Sequence, residues 1–197
     1  MEEYRGVKFR VIFLEHKPIS SKKIMEMLKA SRSLQEFSRG NEGNISLRFQ
    51  EGMLISAAGS NLGKLDKEDI VYVKNYDMLH NTAYIYGKKE PSSETPMHWL
   101  IYKEMKNVGA ILHIHDSLVL ENEKIILKLG IKMTEKEYSY GTISLAKEAL
   151  RTLMKSENGY IILRNHGSLI VGKNLSEVID KAFSVRGKLR ENLLAEK

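Results

Sequence analysis

The apolar residues of this chain come in short bursts, and that pattern limits the folds open to it. Asn44 to Phe49, Met53 to Ala57, Ile70 to Val73 and Ala83 to Tyr86 each read as a strand, separated by glycine-bearing or polar turns such as Gly59 and Gly63. The longest apolar stretches, such as Gly159 to Leu163, meet polar groups within a few residues, far short of a bilayer span. Tyr160 to Arg164 and Leu169 to Val171 read as a strand pair around a tight turn, and Val108 to His115 as one more strand.

Helical periodicity occupies the intervals. Ser20 or Ser21 can cap a helix through about Phe37, with Ile24, Met27, Leu28 and Leu34 on its apolar side. Pro91 precedes a second helix that starts near Ser92 or Ser93 and runs to about Met105. Thr142 to Met154 and Ser176 to Leu194 read as two more. An N-terminal strand, Arg5 to Leu14, ends before Pro18. No repeat or linker interrupts residues 1–197, so the expectation is one mixed domain around a largely antiparallel sheet.

Composition narrows the chemistry. The chain has 197 residues, 42% hydrophobic and 28% charged, enough to bury a core. It has no cysteine, which removes disulfides, thiolate metal sites and cysteine nucleophiles. The net charge of +6 favours anionic partners, but the lysines and arginines are scattered among acids. No basic stripe interleaved with aromatics points to nucleic acid, and a phosphorylated metabolite suits such a field. The start, Met-Glu-Glu-Tyr-Arg, lacks the features of a signal peptide, so a cytoplasmic location without membrane partners is expected.

The chemistry-bearing residues begin with His113-Ile114-His115. On a strand, residues two apart share a face, so both imidazoles project together, with Val108, Ala110, Leu112 and Ile114 opposite. Such a pair can chelate a cation, although His-X-His also arises without one. His166, in Arg164-Asn165-His166-Gly167, follows an apolar strand; it suits a site or simply satisfies a turn. Glu94, in Pro91-Ser92-Ser93-Glu94, stands at a helix start. There it either serves the helix dipole or joins a site beside an anion-binding helix end, ligating a metal or moving a proton. One carboxylate and three histidines are donors that a borderline or hard divalent ion accepts. Gly43-Asn44-Ile45-Ser46 and Ala58-Gly59-Ser60 can offer backbone N–H groups to a phosphate, or are plain hairpin turns.

Taken together, Gly43-Asn44-Ile45-Ser46, the Ile55 to Gly59 turn, Pro91-Ser92-Ser93-Glu94, His113-X-His115 and Asn165-His166-Gly167 stand in the order of the class II aldolase/adducin family, which the chain resembles from about Ile19 to Leu194. The resemblance implies a three-layer α/β/α fold with a mostly antiparallel sheet, usually in a homotetramer with sites between subunits. It implies His113, His115 and His166 as ligands of zinc, with Mn2+, Co2+ or Fe2+ as alternatives, and Glu94 as a further ligand and acid/base. Asn44, Gly59, Ser92 and Ser93 would match phosphate-binding positions. The implied activity is reversible cleavage of a ketose 1-phosphate to dihydroxyacetone phosphate and a small aldehyde. Epimerisation, dehydration of a methylthio-sugar phosphate, or a non-catalytic adducin-like role are the alternatives.

The chain also departs from that pattern. The turn usually reading Thr-Pro-Ser/Thr-Gly is Ser56-Ala57-Ala58-Gly59, so Ala58 supplies no hydroxyl, and Gly59 and Ser60 are the substitutes. Asp116 to Tyr140 looks shorter than in fuculose-phosphate aldolase, and neither Tyr138 nor Tyr140 aligns with that enzyme's catalytic tyrosine. The N-terminal strand (within 1–18) has no family counterpart. His98, one turn beyond Glu94, either packs or touches the metal, while His16 and His80 lie outside every motif.

Overall fold

The computed structural model describes residues 6–38 and 40–195. Their strands are β1 (Arg10–Glu15), β2 (Asn44–Phe49), β3 (Gly52–Ser56), β4 (Ile70–Asp77), β5 (Thr82–Tyr86), β6 (Ala110–Ile114), β7 (Lys132–Met133), β8 (Tyr160–Leu163) and β9 (Gly167–Gly172). The helices are α1 (Lys22–Ser33), α2 (Thr95–Glu104), α3 (Ser117–Glu121), α4 (Glu123–Lys128), α5 (Ile143–Leu153) and α6 (Leu175–Ala195). The strands form one sheet in the order β1-β5-β4-β3-β2-β6-β9-β8-β7. It is mixed: β1 with β5 and β7 with β8 run parallel, while the other neighbours are antiparallel.

Alternation along the central strands explains the layers. Ala110, Leu112 and Ile114 of β6 join Ile45, Leu47 and Leu54 in a core shared with Ile24, Met27 and Leu28 of α1 and Val178 and Ala182 of α6. Ile111 points the other way, into a second core with Met53, Ile55, Leu169, Met97 and Ile101 of α2, and Leu145 and Ala149 of α5. With helices on both faces, β3 is buried along its whole length, and its apolar run replaces the alternation of a half-exposed strand. The result is the three-layer α/β arrangement expected. Val108, expected on the same face as Ala110, Leu112 and Ile114, precedes β6 and belongs instead to the second core with Ile111.

Local chemistry moves several boundaries. The Ser21 side chain accepts from Lys23 N and caps α1, which stops at Ser33, and a 3-10 turn (Gln35–Phe37) then buries Phe37. Strand β4 continues past Val73 because a register shift between Val73 and Asn75 returns Tyr76 to the interior, although Lys74 and Asn75 are exposed. At the N-terminus β1 starts at Arg10, not near Arg5, which lies outside the described residues. It extends the sheet by pairing with β5 at the edge. Between Asp116 and Tyr140, where no element was expected, lie α3, α4 and β7.

Candidate functional site

Six chain segments meet at one end of the central strands and line a cavity of about 400 Å³. Its walls carry Asn44, Gly59, Ser92, Ser93, Glu94, His113, His115 and His166, while Ser60 and His98, also considered for phosphate or metal, lie outside it.

The histidines arrive from two neighbouring strands. His113 lies on β6 opposite Asn44 of β2 and Leu169 of β9, and His115 follows just beyond the end of β6. His166 closes the tight β8–β9 turn, its N–H donating to Leu163 O at 3.0 Å, with Asn165 at φ +55°. Two close approaches fix this corner. A Cβ on Gly43 (φ +80°) would lie 2.7 Å from His113 O, and one on Gly167 would lie 2.9 Å from His113 Cε1. The three rings stand edge-to-face, with centroids 4.8, 4.9 and 5.0 Å apart. One nitrogen from each lies within 4.8 Å of the others, a group that can hold a metal ion.

Protonation suits that role. His113 Nδ1 faces Ser168 O at 3.0 Å, and a carbonyl only accepts, so Nδ1 carries the proton and Nε2 has a lone pair. His113 Nε2 in turn lies 2.9 Å from His115 Nε2. Burial pushes the His113 pKa well below its ordinary value, and the neighbouring His115 and His166 push it the same way. Burial also lowers that of His115, against an opposing pull from the Glu42 carboxylate.

Glu94 does not cap its helix. Helix α2 begins at Thr95, later than the expected Ser92 or Ser93, and Glu94 occupies the N-cap position without a capping bond from its side chain. Ser92 Oγ instead accepts from Glu94 N at 3.3 Å, while Thr95 N donates to Ser92 O. The Glu94 carboxylate is thereby released towards the cavity: Oε1 accepts from Gly141 N at 3.2 Å and stands 3.8 Å from His166 Nε2. Asn44, on the cavity wall, is buried, and its Oδ1 has no hydrogen-bond partner among the described residues. Ala58 N is already bonded to Glu90 O, and Ser60 Oγ to Ala57 O within the turn.

His98 is elsewhere occupied. Its ring is buried between α2 and the sheet, where Nδ1 shares a 2.7 Å hydrogen bond with Ser46 Oγ, itself 2.9 Å from Tyr102 OH. Burial lowers its pKa to about 3. His16 stacks on Phe13 and His80 binds Asp77; neither lines the cavity.

The cavity also takes residues that sequence reasoning missed or left unassigned: Glu42, Glu137, Tyr138, Tyr140 and Asn165. Three of them come from the loop before α5, and Thr142 of the same loop caps that helix through Leu145 N. The loop is tied down by Asn165 Nδ2 donating to Glu137 Oε2 at 2.6 Å and by Gly141 N at Glu94. Nothing in the local pattern of Tyr138-Ser139-Tyr140 marks it as a wall; only the Gly141 turn (φ +67°), pressed against Ser93 O, brings it there.

Comparison with known proteins gives the family and the fold. The family model of the class II aldolase and adducin N-terminal domain matches residues 25–190. The L-fuculose phosphate aldolase of Methanococcus maripaludis is 30% identical over 171 residues, covering 80% of this chain and 89% of the relative. A 3-oxo-tetronate 4-phosphate decarboxylase of Haemophilus influenzae is 24% identical (82% and 81% covered), and a methylthioribulose-1-phosphate dehydratase of Bacillus cytotoxicus 26% (75% and 77%). A solved L-fuculose 1-phosphate aldolase shares the fold with a TM-score of 0.73 at 24% identity, over 91% of this chain and 88% of that one. No helix among the described residues is long and apolar enough to cross a membrane. With the family model spanning most of the chain, this protein belongs to the class II aldolase and adducin N-terminal domain family.

Proposed function

We propose that the protein is a zinc-dependent class II aldolase that cleaves a ketose 1-phosphate, of the L-fuculose-phosphate kind, to dihydroxyacetone phosphate and a small aldehyde. One observation carries this reading. The three imidazoles and Glu94 meet in the same cavity as Asn44, Gly59, Ser92 and Ser93, so a group that can hold a metal lies within one small molecule's length of polar groups suited to a phosphate. The donor set fits the ion: neutral imidazole nitrogens with a carboxylate close by and no thiolate.

In this reading His113, His115 and His166 would hold the cation, with Glu94 able to ligate it as well. When bound, zinc supplies Lewis-acid polarisation of the substrate carbonyl. The chain's own residues do the rest. Asn44, Ser92 and Ser93 and the Gly59 turn hold the phosphate as a remote handle and orient the reacting bond. As the carbon–carbon bond breaks, the Glu94 carboxylate accepts the hydroxyl proton of the departing aldehyde carbon. Glu94 delivers a proton to the carbon that keeps the electron pair. Buried walls around Glu94 and His113 limit water at that carbon. Assembly into a tetramer and a cytoplasmic location belong to the same proposal, the former testable by light scattering.

The decarboxylase and dehydratase relatives give a second reading within the same scaffold, since each starts from a phosphorylated carbonyl compound by name. A purely scaffolding role is less consistent with three convergent imidazoles. The deciding experiment incubates metal-loaded protein with a panel of ketose 1-phosphates, 3-oxo-tetronate 4-phosphate and methylthioribulose 1-phosphate. Release of dihydroxyacetone phosphate supports the aldolase. Carbon dioxide release or dehydration without it moves the protein to the second reading. No metal uptake and no turnover would leave only the scaffold.

A further inference from the structure

We infer that Glu42 is a positioning residue for the metal group: when His115 ligates a cation through Nε2, the Glu42 carboxylate accepts the proton that then sits on Nδ1 and holds the ring. The inference rests on the proposal that the three histidines hold a divalent ion. His115 Nε2 donates to the His113 Nε2 lone pair at 2.9 Å, so Nδ1 is the nitrogen on the far side of the ring and the one that must carry the proton when Nε2 ligates a cation. There it meets Glu42 Oε2 at 3.8 Å, its polar partner among the described residues. At that distance the two are not yet hydrogen-bonded. Glu42 has a side chain 44% exposed, so a small rotation brings the oxygen into bonding range without disturbing the core.

The backbone puts Glu42 where this is possible. Gly43 follows it with φ +80° and is pressed so closely on the end of β6 that a Cβ would lie 2.7 Å from His113 O. Asn44 then pairs with His113. Residue 42 is therefore held beside the position two residues beyond His113 on the neighbouring strand, which is His115. A histidine that binds a cation through one nitrogen must carry its proton on the other, and a carboxylate accepting that proton raises ligand basicity and fixes the ring. His113 has such an acceptor in Ser168 O; Glu42 is the counterpart for His115.

The test measures binding of zinc and of cobalt(II) alone, by chelator competition and by the cobalt absorption spectrum, in wild type, Glu42→Gln and Glu42→Asp. The expected result is an affinity about 10–100-fold lower in Glu42→Gln, with an altered cobalt spectrum, and partial recovery in Glu42→Asp. The Tm of the metal-free proteins should be the same in all three, which separates positioning from a folding defect. Wild-type affinity and an unchanged spectrum in Glu42→Gln would overturn the inference and leave the metal reading standing. A wild-type protein that takes up neither ion would overturn both.

Discussion

Gly167 lies under the imidazole of His113, so near that a Cβ there would sit 2.9 Å from His113 Cε1 and 2.6 Å from Ile114 O. Neither neighbour can yield freely, because Ile114 O belongs to a sheet backbone and His113 is bonded to Ser168 O. Gly167→Ala should therefore cost about 1–3 kcal/mol as an overpacked site and displace one of the three imidazoles. A lowered Tm together with weakened metal binding checks this. Gly187, in α6 with open space around it, is the control: Gly187→Ala should leave metal binding alone and raise stability by up to about 1 kcal/mol.

Glu94→Gln separates chemistry from architecture. The amide oxygen can still accept the Gly141 N–H, so the loop before α5 should stay in place and the Tm should change little. The proton-carrying function is lost, and turnover of the substrate identified by the panel should fall by about 10²–10⁴-fold. Comparable turnover in the variant would remove Glu94 from the acid/base role.

The order of strands and helices was legible because both faces of the sheet are covered and the apolar bursts are correspondingly strong. The histidine pair was legible for a similar reason: β6 is regular, and period two alone predicts that His113 and His115 share a face. What escaped was set by tertiary contacts. Glu94 at a helix start reads equally as a cap; only the Gly141 turn and His166 draw its carboxylate away. His98 was open to metal contact on helical spacing, and the hydrogen bond of its Nδ1 to Ser46, which also meets Tyr102, decided otherwise. Glu42 and the 137–140 wall come from irregular chain, where periodicity carries no information.

Ser46 is the hinge of that buried polar line. Its hydroxyl contacts both His98 Nδ1 and Tyr102 OH, and all three residues are buried. Ser46→Ala strands two polar groups without water, which should destabilise the protein by about 1–3 kcal/mol for each group left unpaired. Urea unfolding measures it. A loss well under 1 kcal/mol would mean that the pair finds other partners.

His98 should also make stability depend on pH in one direction. Burial depresses its folded pKa to about 3, against its ordinary value of 6.5. Above pH 6.5 the imidazole is neutral in both folded and unfolded chains and contributes no slope. As pH falls below 6.5 the unfolded chain binds a proton that the folded one refuses, so stability declines, by up to about 1.4 kcal/mol per pH unit, until the folded pKa is reached. The buried His113 pushes the same way in metal-free protein, so the informative quantity is a difference between variants. His98→Asn places an amide nitrogen near the position of Nδ1, keeps a partner for Ser46 and removes the titration. Between pH 6.5 and 5 its unfolding free energy should fall less steeply than that of wild type, by about one proton's worth of slope. Parallel lines for the two proteins would show that His98 gains a proton in the folded state after all.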